Sequence, residues 1–292
     1  EIELTRSVAN TILHRQFNGD AYLLAQIGFD VFPCPGRCGF CAFGDGHTNF
    51  TETHMSLDEI ILRAHTLTDR DDLYALFLMT MHVYDFGRLL NIISALRSEL
   101  ASYTHIVTNT GDLDIVQAME LKAAGVNGAF HVLRLGEGKV TALDPEERKK
   151  TIKAICDADL DFYYCVEPVG PEHSPEEIVE QMFFGIDHGC YHNAVGSRVC
   201  VPGSPLSTRG RITKNRMAQI LAVVTLASFN SPKLKMIAGI NAIYAETGFN
   251  PRDTKSETSK GRGKDMVECR EFLYDTSCTS LLRGDGSRIP LT

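Results

Sequence analysis

Three closely spaced cysteines carry the clearest signal for chemistry in the sequence. Cys34, Cys38 and Cys41 are separated by three and then two residues, in a loop that contains proline and glycine. Thiolates at this spacing can hold three irons of a cubane [4Fe-4S] cluster, and the fourth iron then has no protein ligand. The spacing therefore predicts such a cluster in the loop at residues 32–44.

Other interpretations of these cysteines agree less well with the sequence. A zinc site requires a fourth Cys or His at regular spacing, and the nearest candidate, His47, follows Cys41 by six residues. A two-cluster ferredoxin has tighter cysteine runs and a much shorter chain. The nine cysteines are odd in number and mostly scattered, which disfavours a secreted disulfide framework. We therefore expect a reducing compartment, the cytoplasm.

Strands and helices alternate along the chain and must position this loop. Apolar patterning predicts strands at 22–31, 73–79, 105–108, 128–135, 162–166, 194–201, 234–238 and 242–245. It predicts helices at 57–67, 86–100, 112–124 and 213–228, with further helix starts at Asp144 and Ser174.

About eight strand–helix units favour parallel pairing in an α/β fold, a single (β/α)8 TIM-type barrel. We expect one domain over 1–292, with the barrel at about 21–249, an N-terminal helical extension and a C-terminal helical tail at 250–292. An open doubly wound sheet is the alternative, but no Gly-x-Gly-x-x-Gly follows a strand. Barrels carry chemistry at the C-terminal ends of strands, where the cysteine loop lies.

Charge and composition exclude other classes of protein. The chain of 292 residues has a formal net charge of −8, which argues against a nucleic-acid partner. It contains no apolar stretch of about 18 residues, so no membrane span is expected. Its first residues also lack the basic and then apolar signature of a secretory signal.

The cysteine spacing, with Phe40 directly before the last cysteine, resembles that of the radical S-adenosylmethionine (SAM) superfamily. The resemblance runs from about residue 21 to about residue 269. It points to the biotin synthase-like branch, which contains biotin synthase, the [FeFe]-hydrogenase maturase and methylornithine synthase. It implies that SAM binds the open iron and is cleaved to a 5′-deoxyadenosyl radical, which abstracts hydrogen from a small-molecule substrate. An electron donor such as ferredoxin or flavodoxin is implied as well.

The resemblance also implies roles for individual residues. It places Phe40 against the adenine, Glu137 at the ribose or amino group, and Arg148 at the carboxylate of SAM, which a guanidinium can hold bidentately. The alternative for Arg148 is a solvated helix face. The full set of cofactor-binding candidates is Phe40, Thr80, Glu137, Arg148, Gly170 and Val201.

Polar residues at the ends of the predicted strands are candidates for substrate contact, because barrel interiors are otherwise packed with aliphatic side chains. The catalytic candidates are Thr108, Asn109, Glu167 and Arg198, and His82 and Glu246 have similar positions. For Glu167 and Arg198 a buried structural ion pair is an equal alternative.

Where this sequence differs from the pattern of the branch, it narrows the activities that can be expected of this chain. The second and third predicted strands carry no cysteine and the seventh no arginine, so biotin synthesis is disfavoured. Residues 134–138, 245–254 and 260–263 resemble the radical SAM protein implicated in making the iron-guanylylpyridinol cofactor of [Fe]-hydrogenase. The methanogen members of that group have five residues between the first two cysteines, and this chain has three. The resemblance implies a role in cofactor biosynthesis, and the cysteine spacing leaves the substrate open. A hydrogenase maturase, a sulfur-insertion enzyme, a non-catalytic iron–sulfur scaffold and a zinc-structured protein stay as alternatives.

Overall fold

The structure is a computed structural model that describes residues 2–48, 50–253 and 263–291. Residue 254 and residues 260–262, which belong to the tail segments named above, lie outside the described residues.

Eight helices and fourteen strands make up the described chain. The helices are α1 (Ile2–Phe17), α2 (Leu57–Leu67), α3 (Phe86–Glu99), α4 (Ile115–Ala123), α5 (Pro145–Asp157), α6 (Pro175–Asp187), α7 (Lys214–Ser228) and α8 (Met266–Asp275). The strands are β1 (Asp20–Gly28), β2 (Asp30–Val31), β3 (Thr53–His54), β4 (Ala75–Met79), β5 (His105–Asn109), β6 (Gly128–Phe130), β7 (Asp161–Tyr163), β8 (Val166–Val169), β9 (His192–Asn193), β10 (Val195–Ser197), β11 (Met236–Ile237), β12 (Ala242–Gly248), β13 (Ser280–Leu282) and β14 (Arg288–Pro290).

The helix starts follow from capping residues in the sequence. Ser56 accepts a hydrogen bond from the backbone N–H of Glu59, which starts α2. Ser174 forms a capping box at the start of α6, and Asp144 caps α5 in front of a proline. These side chains satisfy backbone donors that have no partner inside the helix. The predicted starts are confirmed.

The strands form a parallel sheet whose order is β12-β1-β4-β5-β6-β7-β9-β11. The short strands β8 and β10 pair with each other and extend β7 and β9 toward the C-terminal end of the barrel. Tyr244 on β12 hydrogen-bonds His192 on β9 at 3.1 Å, although these strands lie near opposite ends of the sheet order. The sheet is therefore curled into a barrel, which confirms the expected α/β barrel fold and excludes the open sheet.

The wall between β11 and β12 is built from two parts of the chain. Residues 238–241 join the two strands without a helix, and the Asn241 side chain bonds the Ile237 N–H at 2.8 Å and the Lys235 carbonyl at 3.2 Å. Above this turn Ala245 pairs with Lys264, and the Glu246 N–H donates to the Lys264 carbonyl at 3.1 Å. The wall next to β12 therefore consists of β11 toward the N-terminal end of the barrel and of the chain at Lys264 toward the C-terminal end.

Several strand predictions were wrong in extent, and the strands expected at 194–201 and 234–238 are reduced to β10 and β11. The strand expected at 128–135 ends at Phe130, and the chain beyond it touches its neighbour through His131 N–H to Tyr163 at 3.1 Å and Leu135 N–H to Glu167 at 2.9 Å. The strand expected at 162–166 is divided into β7 and β8. Apolar patterning records burial and not the pairing of the backbone, so it cannot show where a ladder stops.

Two apolar layers surround the sheet. The larger core lies between the strands and the outer helices and contains Leu23, Leu76 and Ile106. The barrel interior is a second cluster, with Tyr22, Tyr74, Phe77 and Tyr163 among its members. At the N-terminal end of the barrel, β13 and β14 form an antiparallel hairpin. β13 pairs in parallel with Asp20 and Ala21 at the start of β1. No helix in the described part of the chain is long and apolar enough to cross a membrane.

Candidate functional site

A cavity of about 410 Å³ opens at the C-terminal ends of the barrel strands. All three cysteines of the loop line it, together with residues of β8 and residues that follow β4, β5, β10 and β12. Among the site residues expected from the sequence, those on its wall are Phe40, Thr80, His82, Asn109, Arg148, Glu167, Arg198 and Glu246. This volume falls in the usual range of small-molecule sites.

Backbone hydrogen bonds fix the cysteine loop against three other loops. The Gly39 N–H donates to Val140, and the Gly39 carbonyl accepts from Leu206, both at 2.8 Å. The Ala42 N–H donates to the Pro251 carbonyl at 2.7 Å. The loop is therefore held by the segments after β6, β10 and β12.

The three thiols lie in surroundings that suit the ligands of an iron–sulfur cluster. Burial raises the pKa of Cys38 to about 11 and raises that of Cys41 further. A thiolate here needs positive charge close by, which cluster iron supplies, and the Phe43 N–H already donates to Cys41 Sγ at 3.3 Å. Within the described residues no three Cys, His, Asp or Glu side chains are grouped to hold one metal ion.

Buried and half-buried charged residues form a chain along one wall of the cavity. Arg134 lies 3.7 Å from Glu167 and 3.8 Å from Glu137, with its guanidinium 5.9 Å from the centre of the Phe40 ring. Arg148 lies 3.6 Å from Glu137 and donates to Asp112 at 2.9 Å. These opposite charges alternate, so each lowers the cost of burying its neighbour.

Arg148 occupies the inside of the protein and not a solvated helix face, since only 3% of it is exposed. Besides Asp112 it bonds the Val132 carbonyl at 3.0 Å, and it also lines the cavity. Asp112 accepts from His131 at 3.1 Å, and these contacts hold the pKa of Asp112 well below its usual range despite burial. Asp112 therefore stays ionised beside Arg148.

Three of the cofactor-binding candidates lie behind the wall. Glu137 is not among the lining residues and accepts from the Thr141 hydroxyl at 2.7 Å and the Arg134 N–H at 3.1 Å. Val201 packs in the apolar cluster around Cys34 and Cys41. Gly170 lies against Arg198, where a Cβ would be 2.5 Å from Nη1, so a larger residue would require the Arg198 side chain to shift.

The catalytic candidates divide between the two faces of the sheet. Asn109 lines the cavity, with Nδ2 3.4 Å from Gln26 Oε1. Thr108 precedes it on β5 and faces the other side, because successive side chains on a strand alternate. It is fully buried, and its hydroxyl has no hydrogen-bond partner in the described chain. The structure does not bring Thr108 to the cavity.

Arg198 lines the cavity and is also ion-paired. Its Nη1 and Nη2 bond both carboxylate oxygens of Glu172, and Nη2 also donates to the Gly210 carbonyl at 3.0 Å. Glu167, the other residue expected in such a pair, has Arg134 near it instead.

Several lining residues were not predicted from the sequence. Gln26, Arg134, Tyr244 and Arg252 all contact the cavity. Arg252 bonds Glu246 and Asn250 beyond β12, where the predicted barrel had ended. Arg134 gave a signal that could have been used, since a charged residue alternates with Leu133 and Leu135 directly after a strand.

Comparison with solved structures identifies proteins of the same fold. Methylornithine synthase (PylB) superposes with a TM-score of 0.76 at 15% identity, over 94% of this chain and 87% of that protein. The FeFe-hydrogenase maturase HydG from Carboxydothermus hydrogenoformans also gives 0.76, at 13% identity over 96% of this chain and 72% of that one. This chain has their fold. Both belong to the branch that the cysteine loop resembles, so the resemblance is confirmed in the fold.

Streptococcus suis SuiB bound to S-adenosylmethionine matches with a TM-score of 0.52 at 13% identity, over 81% of this chain and 53% of SuiB. No protein-family model matches the sequence. No curated protein matches it either.

Proposed function

We propose that this chain is a radical SAM enzyme that abstracts hydrogen from a small-molecule substrate. The observation that carries the proposal is the convergence of Cys34, Cys38 and Cys41 on one cavity at the C-terminal end of the barrel. A [4Fe-4S] cluster with bound SAM would supply one-electron cleavage of SAM and a 5′-deoxyadenosyl radical. SuiB, which shares part of the fold, is bound to SAM in its structure.

The residues of this chain would then bind and orient SAM. Arg148 offers a guanidinium on the cavity wall, suited to the carboxylate of SAM, and Asp112 fixes its position at 2.9 Å. Phe40 offers a ring face to the adenine, with Arg134 on it at 5.9 Å. Thr80, Glu137, Gly170 and Val201 complete the proposed set, the last three by supporting the wall from behind.

The substrate would occupy the part of the cavity between the strand ends. Asn109 and Glu167 are the proposed polar contacts, and Arg198 adds positive charge. Thr108 stays a prediction from the sequence that can act only through its neighbours. We place the activity in cofactor biosynthesis, with [Fe]-hydrogenase cofactor maturation as the proposed pathway, ferredoxin or flavodoxin as electron donor and the cytoplasm as location.

Cleavage of SAM tests this function. The protein is reconstituted anaerobically with iron and sulfide and reduced with dithionite, SAM is added, and 5′-deoxyadenosine is measured by mass spectrometry. We expect 5′-deoxyadenosine from the unaltered chain and none from the Cys34→Ala, Cys38→Ala, Cys41→Ala triple variant. Cys156→Ala is the matched control, because Cys156 is a partly exposed free cysteine outside the cavity. A four-iron cluster without SAM binding or cleavage would favour the scaffold alternative.

A further inference from the structure

Tyr244 donates a hydrogen bond to a histidine beneath the cavity. Its Oη lies 3.1 Å from Nε2 of His192, while its ring forms part of the cavity wall. The other ring nitrogen of His192, Nδ1, lies 3.2 Å from the carbonyl oxygen of Tyr164. A carbonyl can only accept, so Nδ1 carries the hydrogen and Nε2 accepts from Tyr244.

Burial keeps both partners neutral. His192 is 1% exposed, and burial lowers its pKa to about 4. Burial also raises the pKa of Tyr244 well above its usual range. The proton therefore stays on Oη at neutral pH. Loss of an electron from the ring would change this, because an oxidised phenol is a very strong acid and Nε2 is already in place to take its proton.

The other tyrosines of the barrel interior lack such a base. Tyr74 and Tyr191 bond each other through their hydroxyls at 2.7 Å. The hydroxyl of Tyr163 is buried without a hydrogen-bond partner in the described residues. The rings of Tyr163 and Tyr244 are nevertheless connected through Phe77. The centre of the Phe77 ring lies 5.1 Å from that of Tyr163 and 5.0 Å from that of Tyr244. Of the interior hydroxyls, that of Tyr244 alone meets a ring nitrogen within the described chain.

The type of residue at this position also departs from what a barrel requires. Barrel interiors are usually filled by Val, Ile and Leu. A buried phenol bonded to a buried imidazole costs desolvation that an aliphatic pair would not. A polar pair placed directly under a reaction cavity is where a local departure from packing rules indicates function.

We propose that Tyr244 and His192 form a redox-active pair that donates one electron to an organic radical in the cavity. This proposal rests on the proposed function, which generates that oxidant, a carbon-centred radical. The Tyr244 ring gives an electron to the organic radical, whose carbon forms a C–H bond with a proton from solvent. The O–H bond of Tyr244 breaks, and an N–H bond forms at His192 Nε2.

The products of this step are the reduced organic molecule, a neutral tyrosyl radical and an imidazolium. An external low-potential electron donor then reduces the tyrosyl radical, and the proton returns from Nε2 to Oη. Over the cycle the organic radical gains one electron and one proton, and the pair is restored.

Photo-oxidation of the full chain without iron tests the pair directly. A ruthenium tris-bipyridine flash with persulfate oxidises tyrosines, and freeze-quench EPR records the tyrosyl radicals. The background carries Tyr274→Phe and Tyr103→Phe, since Tyr274 is 65% exposed and would react first. We expect a long-lived tyrosyl signal that is lost in Tyr244→Phe and in His192→Gln. Tyr163→Phe is the matched control in the same interior and should keep the signal.

A second measurement uses the background protein without interior substitutions, so it does not depend on the folding of an interior variant. Pulsed EPR should detect hyperfine coupling from an imidazole nitrogen to the tyrosyl radical. A signal that survives Tyr244→Phe, that disappears in Tyr163→Phe, or that lacks the nitrogen coupling would overturn the proposal. The flash needs neither the cluster nor SAM, so its failure leaves the 5′-deoxyadenosine result unaffected. A tyrosyl signal from Tyr244 without any 5′-deoxyadenosine would overturn the oxidant named here together with the proposed function.

Discussion

A single buried guanidinium shows how strongly one residue can depend on its partner. Arg198 has a fully buried side chain, while 31% of the side chain of its partner Glu172 remains exposed. Removing the carboxylate leaves a cation inside the protein, but removing the guanidinium leaves an anion that can reach water. Breaking a buried pair is costly mainly through the charge that is left behind.

The two substitutions at this pair should therefore differ in cost. We expect Glu172→Gln to lower the free energy of unfolding by about 2–3 kcal/mol and Arg198→Met by about 1 kcal/mol. Urea unfolding of the iron-free protein at neutral pH measures both. Equal losses would show that the pair, and not the stranded charge, sets the cost.

The same pair predicts a dependence on pH. The hydrogen bond from Arg198 lowers the pKa of Glu172 from 4.5 to about 2 in the folded protein. A carboxyl with a depressed folded pKa contributes stability above its unfolded pKa, and this is lost as the pH falls through the folded value. The difference in unfolding free energy between the wild type and Glu172→Gln should thus be constant above about pH 6 and shrink below about pH 4.5. A difference that grows on acidification would contradict the assignment.

The residues of the site differ in how far they could be predicted. The three cysteines could be found because their chemistry depends on local spacing alone. Tyr244 and His192 are 52 positions apart and meet only because the sheet curls, so no local pattern joins them. Arg148 was expected near a cofactor, but its contact with Asp112 joins α5 to the loop before α4, which no local sequence pattern places together.

Among the elements, β1 and β12 make a close approach that requires glycine. Gly28 and Gly248 face each other in the ladder, and a Cβ on Gly28 would lie 1.8 Å from the Phe249 carbonyl oxygen. Gly248 has a φ of +73° and turns the chain toward Asn250 and Arg252. This contact positions both the strand before the cysteine loop and the segment beyond β12.

Gly28→Ala should therefore disturb the fold and the site together. Overpacking against rigid backbone costs about 1–3 kcal/mol, and we expect the upper part of that range in thermal or urea unfolding. Gly87→Ala in α3 is the matched control. A Cβ added at Gly87 would lie 3.4 Å from its nearest neighbour, Asp85 Oδ1, which is an ordinary van der Waals distance. That change should be neutral or stabilising by up to about 1 kcal/mol. Equal destabilisation by both would contradict the close approach.

The helices were predicted better than the strands. The expected bounds of α2 agree with the structure, since Ser56 caps it and its apolar residues recur at helical spacing. The hairpin of β13 and β14 was not predicted, although Asp285 and Gly286 form a turn signal between apolar residues. Its strands are three residues each, and so short a run carries little periodicity.

At the scale of the whole molecule, one ion pair connects the C-terminal helix to the barrel. Arg270 on α8 donates to both oxygens of Asp72, at 2.6 Å and 2.9 Å. Both residues are buried. Because Lys264 lies two residues before the start of α8, this pair also holds the segment that completes the wall beside β12.

Arg270→Met should leave Asp72 buried without a partner. We expect a loss of about 3 kcal/mol in the free energy of unfolding. We also expect faster hydrogen exchange at the Glu246 amide, which donates to Lys264 at 3.1 Å. Lys149→Met, which removes an exposed pair with Glu146, is the control and should change stability by less than about 0.5 kcal/mol. Unchanged exchange at Glu246 would show that α8 does not hold the wall.

The two-part wall has a consequence for the order of assembly during synthesis. β1 and the cysteines are synthesised before β12, which pairs with β1, and before Lys264, which pairs with β12. The cysteine loop therefore leaves the ribosome before the segments that complete the wall beside β1 have been made. The barrel cannot close during synthesis until the last of these segments is available, so closure of the cavity wall is a late step in the folding of the nascent chain.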